Sequence, residues 1–137
     1  TKNGALAAEA IICFDPARAE EIARRRKRSG HLLSKGRFVA AQLLAYVEDD
    51  LWLQLAHRSN ALASRLADAA RPFLSHPARS NQVFIRPGAE ALAKLRAAGA
   101  QFYDWGASDS GEARLVVSWN QSEADIEAMS ALLSSLR

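Results

Sequence analysis

A single cysteine, Cys13, occurs in the 137 residues, which excludes an intrachain disulfide scaffold. It stands in the apolar run Ala10-Ile11-Ile12-Cys13-Phe14 and reads as a buried structural thiol of a reducing compartment. Long apolar runs are missing too: none approaches the roughly 20 residues that a membrane-spanning helix needs. No charged n-region, apolar h-region and cleavage site opens the chain, so a cytoplasmic protein without a membrane partner is expected. The three histidines, His31, His57 and His76, lie far apart and form no HxxH or CxxC spacing, which leaves no metal site to expect. A glycine-rich phosphate loop is likewise absent, since Gly30 and Gly36 are separated by a helical pattern.

What is present is an ordinary globular composition, 49% hydrophobic and 24% charged with a net charge of +3, which excludes disorder as the default. A chain of this size builds one core, or two small ones joined by a long helix. The charge is uneven. Residues 16–37 hold eight Lys or Arg against two Glu, a local +6 that leaves −3 for the remainder. The first residue is Thr1 rather than methionine, and it runs at once into Ala5-Leu6-Ala7-Ala8, so the sequence is expected to be cut from something longer.

The run from Ala7 to Phe14 is short and nearly all apolar, the pattern of a strand buried on both faces. Asp15-Pro16 supplies an N-cap with proline at the first helical position, which predicts a helix over Ala17 to Arg28 ended by Ser29-Gly30. Helical spacing returns from Leu32 to Val47, and Asp49-Asp50 caps a second long helix with Leu51, Leu55, Leu62 and Leu66 on one stripe. Arg71-Pro72 ends it. Beyond Ser75-His76-Pro77 the pattern predicts a strand over Gln82 to Arg86, a helix over Gly88 to Ala98, strands over Gln101 to Trp105 and Arg114 to Trp119, and a helix over Ser122 to Leu136. That last helix opens on the capping-box spacing Ser122-Glu123-Ala124-Asp125.

Three features carry candidate chemistry. The basic run Arg24 to Arg28 is either a polyanion-binding patch, which would release counterions from phosphate, or cations favoured at a helix C-terminus. No aromatic interleaving or reading motif accompanies it, so nucleic acid is not the expected partner. Lys2 lies between small polar residues directly before an apolar run. An amine held inside a protein there would have its pKa lowered by desolvation, as attack on a carbonyl requires. Arg114 opens its expected strand after the mobile-looking loop Ser108-Asp109-Ser110-Gly111. It either grips a carboxylate with two parallel hydrogen bonds or forms an ordinary surface ion pair.

Several segments together resemble one family. Thr1-Lys2-Asn3-Gly4-Ala5-Leu6-Ala7-Ala8-Glu9-Ala10 resembles the segment around the cofactor lysine of the threonine aldolase and β-eliminating lyase family. Arg26-Lys27-Arg28-Ser29-Gly30-His31-Leu32, Ser34-Lys35-Gly36-Arg37-Phe38 and Ala41-Gln42-Leu43-Leu44-Ala45-Tyr46 are similar to the helix that follows in a bacterial branch of low-specificity L-threonine aldolases. Glu112-Ala113-Arg114-Leu115-Val116-Val117-Ser118-Trp119 looks like the late strand whose arginine binds the substrate carboxylate.

The resemblance implies an α/β fold, the C-terminal part of a pyridoxal-phosphate-dependent transferase of fold type I. It would comprise a short buried strand and two long helices in residues 1–74, then a small α+β domain in residues 75–137 ordered strand, helix, strand, strand, helix. It implies that Lys2 is catalytic and holds pyridoxal 5'-phosphate covalently, that Lys27, Lys35 and Arg37 contact the cofactor's phosphate or a second subunit, and that Arg114 binds the substrate. The implied reaction is retro-aldol cleavage of threonine, allo-threonine and related β-hydroxy-α-amino acids to glycine and an aldehyde. The implied partners are a small amino-acid substrate, a preceding N-terminal part of the same enzyme, and further copies in a homodimer or homotetramer. The family's remaining cofactor contacts precede the lysine, so these residues alone are expected to be inactive. A β-eliminating amino-acid lyase on the same fold and a non-enzymatic polyanion-binding helical module are the alternatives.

Overall fold

The computed structural model describes residues 2–107 and 109–136; Thr1 and Ser108 of the segments above lie outside the described residues. The described chain divides into two compact units, residues 1–52 and residues 53–137. The expected division after residue 74 set the whole second long helix with the first part. By packing, Leu53 onward belongs with the sheet, because Leu62, Ala63, Leu66 and Ala67 are buried in its core.

In the first unit, helix α1 (Pro16–Arg28) starts where the sequence predicts: the Asp15 carboxylate accepts from the amide of Ala17, and Pro16 occupies the first turn. Helix α2 (Arg37–Val47) is shorter than the Leu32 to Val47 pattern, because residues 31–33 are irregular and residues 34–36 form a turn, after which the amide of Phe38 reaches the carbonyl of Lys35. The expected strand over residues 7–14 is not formed. A strand needs a paired edge, and among the described residues every strand lies in the second unit. Ile11, Ile12 and Phe14 are instead 74%, 79% and 97% exposed, and Cys13 is half-buried rather than enclosed.

Asp49 and Asp50 adopt left-handed φ values of 51° and 56°, which aspartate tolerates better than most side chains, and turn the chain into helix α3 (Leu51–Ala69). The second unit then builds a three-stranded antiparallel sheet from β1 (Gln82–Ile85), β2 (Tyr103–Trp105) and β3 (Glu112–Val116) in the order β1-β3-β2. Helix α4 (Ala89–Ala97) joins β1 to β2, and helix α5 (Glu123–Ser134) follows β3. The element order of the small α+β part is the expected one. Its capping box is formed, with the Ser122 hydroxyl accepting from the amide of Asp125 at 3.1 Å and the Asp125 carboxylate accepting from the amide of Ser122 at 3.3 Å.

Period-two alternation splits β3 between two faces. Ala113, Leu115 and, just past the strand, Val117 point into a core shared with Val83 and Ile85 of β1 and with Leu66, Leu95, Ile126 and Leu133 of the helices. The strand begins two residues before the expected start, so Arg114 is its middle residue rather than its first. It lies opposite Phe84 on one neighbour and Tyr103 on the other. The β2–β3 hairpin closes tightly against the start of α4. Gly111, at φ 62°, comes so near Gly88 that a Cβ on it would meet the Gly88 Cα at 2.7 Å.

Candidate functional site

The face of the sheet turned away from the core carries a cluster of charged and aromatic side chains. Arg114 is its centre. Its Cζ lies 4.9 Å from the ring centroid of Trp105 and 5.4 Å from that of Tyr103, both on β2, an arrangement that holds a cation by the ring quadrupoles. Phe84 meets Trp105 edge to face at 5.2 Å, and His76 meets Phe84 in the same manner at 5.5 Å. Inside this row the Nε of Arg114 is fully buried and has no hydrogen-bond partner. Buried donors left without a partner are rare and costly, so such an atom marks a place where a ligand or solvent acceptor belongs.

The natural candidate for an internal partner is Glu112, two residues away on the same face. It is taken. Its carboxylate, 5% exposed, accepts from the hydroxyl of Ser75 and from Nη2 of Arg86 at 2.9 Å, with Nε2 of His76 at 3.6 Å. The Ser75 hydroxyl and the Arg86 guanidinium hold this carboxyl below the usual carboxylate range, against the opposing pull of desolvation. The backbone explains the convergence. The amide of Ser75 donates to the carbonyl of Phe84 and the amide of Arg86 to the carbonyl of Phe73, which lays residues 73–75 along the free edge of β1.

Arg114 therefore lacks the ion pair that the simpler sequence reading gave it: among the described residues no carboxylate lies within ion-pairing distance of it. Ser110, just before β3, is held by two hydrogen bonds. The Ser110 hydroxyl donates to the carbonyl of Trp105 at 2.7 Å and accepts from the amide of Glu112 at 3.2 Å.

In the first unit, Lys2 lies in a turn and is exposed, not enclosed as the sequence reading expected. The turn is tied by its neighbours to α2 and to the first turn of α3. Asn3 donates through Nδ2 to the Tyr46 hydroxyl at 2.8 Å and to the carbonyl of Trp52 at 3.0 Å, and the amide of Leu6 donates to Oε1 of Gln42 at 2.7 Å. Lys27 sits in the last turn of α1, Lys35 in the turn before α2, and Arg37 at the first position of α2, its Cζ 4.8 Å above the ring of Phe38; all three are exposed. None of the three lines the open apolar groove of about 950 Å³ formed in this unit by residues such as Ile11, Ile22, Leu33 and Val39.

The basic run is partly neutralised within its own helix, where Arg24 pairs with Glu20 and Arg25 with Glu21. Among the described residues no cluster of three or more His, Cys, Asp or Glu gathers as a metal site, and no helix is long and apolar enough to cross a membrane.

Sequence reasoning found Arg114 but passed over Glu112, Arg86, Tyr103 and Trp105. The signal was available in the alternation, since Glu112 and Arg114 on one strand and Tyr103 and Trp105 on the next must share a face.

No protein-family model matches the chain. The low specificity L-threonine aldolase of Pseudomonas aeruginosa is 37% identical over 141 aligned positions, covering 100% of this chain and 39% of the relative. The enzyme of that name from a Pseudomonas species, strain NCIMB 10558, is 37% identical over 135 positions, covering 96% of this chain and 38% of the relative. A solved structure of Leishmania major threonine aldolase matches 81% of this chain and 34% of its own, with a TM-score of 0.74 and 26% identity. The chain thus spans about two fifths of the length of the curated relatives it matches. In sequence along its full length and in fold over four fifths of it, this chain is similar to threonine aldolases.

Proposed function

We propose that the chain is the part of a pyridoxal-phosphate-dependent threonine aldolase that supplies the cofactor lysine and the grip on the substrate carboxylate, in an enzyme cleaving β-hydroxy-α-amino acids to glycine and an aldehyde. The observation that carries this reading is the buried, unpartnered Nε of Arg114, whose guanidinium lies over two aromatic rings of β2 beside an acid that is already engaged.

The residues present fit the group that the reading requires. Lys2 offers a primary amine on a turn anchored through Asn3 and is the group that would hold the cofactor's aldehyde carbon; within this chain it is exposed and gains none of the desolvation that the sequence suggests. When bound, pyridoxal phosphate supplies the electron-accepting ring that stabilises the carbanion left by carbon–carbon bond cleavage. Lys27, Lys35 and Arg37 are assigned to the cofactor's phosphate or to a second copy of the chain, in keeping with their exposure and charge.

Arg114 acts by position. A planar guanidinium offers two parallel N–H donors to an α-carboxylate, which fixes the orientation of the substrate's Cα. Trp105 and Tyr103 restrict the guanidinium and displace water around it, which strengthens each charge-assisted hydrogen bond. Holding the substrate in a reactive orientation removes part of the entropic barrier to its cleavage. A cytoplasmic enzyme working as a homodimer or homotetramer completes the reading.

The test is kinetic. Truncating one partner of such a pair costs about 2–5 kcal/mol, so Arg114→Ala should lower kcat/KM for threonine by roughly thirty-fold to several-thousand-fold. Lys2→Ala should abolish both turnover and the visible absorbance of bound cofactor. Glycine release from threonine distinguishes an aldolase from a β-eliminating lyase, which would release ammonia and pyruvate from serine. Unchanged kcat/KM in Arg114→Ala would sink the assignment.

A further inference from the structure

Glu112 presents a problem that the fold has solved. Alternate residues of a strand lie about 6.5–7 Å apart on one face, and an arginine side chain spans that distance easily. A carboxylate two residues from Arg114 is therefore a ready internal competitor for any carboxylate ligand. The side chains around it turn it the other way. Ser75 and Arg86 occupy its two oxygens separately, the hydroxyl on Oε1 and the guanidinium on Oε2, and His76 stands beyond Oε1. Trp105, directly opposite Glu112 on β2, closes the row with its ring over Arg114. Arg86 itself is 59% exposed in its side chain and makes this contact at 2.9 Å, while its amide is fixed to the carbonyl of Phe73.

We propose that Arg86 is a specificity determinant of the substrate site: by sequestering Glu112 it keeps Arg114 open to the α-carboxylate of an amino acid. Arg86 touches no substrate in this scheme and is a positioning residue. The inference rests on the reading of Arg114 as the carboxylate-binding residue. It adds that the selectivity of Arg114 for an external acid is set by a second arginine, which competes with it for the acid inside.

Two properties follow. With Arg86 replaced by a neutral side chain, Glu112 keeps the Ser75 hydroxyl on Oε1 but loses the guanidinium on Oε2, and the arginine on its own strand is Arg114. Amino-acid binding then weakens by competition while the chemical step is untouched. With Glu112 also neutralised the competitor is gone and binding returns, a rescue that a merely structural role for Arg86 does not predict, since the second substitution removes one more ionic contact.

The experiment compares Arg86→Gln, Glu112→Gln, the double variant and Arg114→Gln in the protein that carries this chain, loaded with pyridoxal phosphate. It reads KM and kcat for threonine and, without turnover, glycine binding by calorimetry. Arg86→Gln should raise KM and the glycine Kd about ten-fold with kcat held within about two-fold. The double variant should bring both constants back to within about three-fold of the parent. Glu112→Gln alone should leave them unchanged or lower. Should Arg86→Gln fail to fold, Arg86→Lys stands in: it keeps the charge without the fork and should raise KM by only a few-fold, again with rescue by Glu112→Gln.

The proposal is overturned if Arg86→Gln leaves KM and glycine binding unchanged, if the double variant binds no better than Arg86→Gln, or if Glu112→Gln alone weakens glycine binding. Loss of glycine binding in Arg114→Gln upholds the underlying assignment of Arg114 whatever Arg86 does. Retained binding there refutes that assignment, so the two failures are distinguishable.

Discussion

Residues 2–52 and 53–136 are both rich in leucine, isoleucine and phenylalanine, yet the fourteen residues of the buried cluster all lie in the second stretch. Ala8 is the one buried hydrophobic residue of the first among those described. Neither α1 nor α2 buries a single residue, whereas α3, α4 and α5 bury leucines and Ile126 against one sheet. Apolar content is therefore not what separates the units. The second contains a sheet whose central strand, β3, is paired on both edges, and helices close on its apolar face. Among the described residues the first has helices and an extended segment with no such surface between them, and within this chain Leu6, Ile12 and Phe14 are 80%, 79% and 97% exposed.

The contrast can be broken at several scales. At the largest, residues 49–137 produced alone should melt in one cooperative transition followed by circular dichroism, whereas residues 1–48 alone should show none; a cooperative melt of the shorter piece would erase the distinction. Within the second unit, Leu133→Ala and Leu95→Ala remove fully buried side chains and should each cost about 2–5 kcal/mol in urea unfolding. Gly111→Ala should cost somewhat less, about 1–3 kcal/mol by the same measurement, since its methyl group would strike the Gly88 backbone in a left-handed conformation.

A smaller effect is expected from acid. The Glu112 carboxyl is held below its ordinary value by Ser75 and Arg86, so the folded state binds its proton less readily than the unfolded chain does. That contribution is present above the ordinary carboxylate range and fades as pH falls through the lowered folded value. The fall in Tm below about pH 4.5 should be shallower in Glu112→Gln than in the parent. The smallest change belongs to the first unit: Phe14→Ser should move stability by no more than about 0.5 kcal/mol, while reducing self-association in sedimentation.

Local chemistry made much of this fold legible. Asp15-Pro16 and Ser122 through Asp125 mark helix starts through bonds between near neighbours, and Gly99, at φ 94°, ends α4 by a conformation that few other residues tolerate. The failures share a different cause. Ile11, Ile12 and Phe14 have a strand's composition, but a strand is defined by what pairs with it, and no such partner is written into the segment itself. Arg114 was visible as a residue and misplaced as the first of its strand, because Glu112 and Ala113 look like loop and become strand only through their pairing with Trp105 and Asp104. The acid cluster was hidden more deeply. Ser75, Arg86 and Glu112 are separated by up to 37 residues and meet only because residues 73–75 run along β1.

The two-sidedness of β3 bears on how such a protein can change over generations. Ala113 and Leu115 answer to the helices beneath them, whereas Arg114, on the other face, lies over the Trp105 ring at the place proposed for the substrate carboxylate. Because neighbouring positions face different selective demands, a lineage can alter what it recognises at one residue without renegotiating the interior at the next. On a single short strand, core-facing and outward-facing residues can thereby change independently of one another.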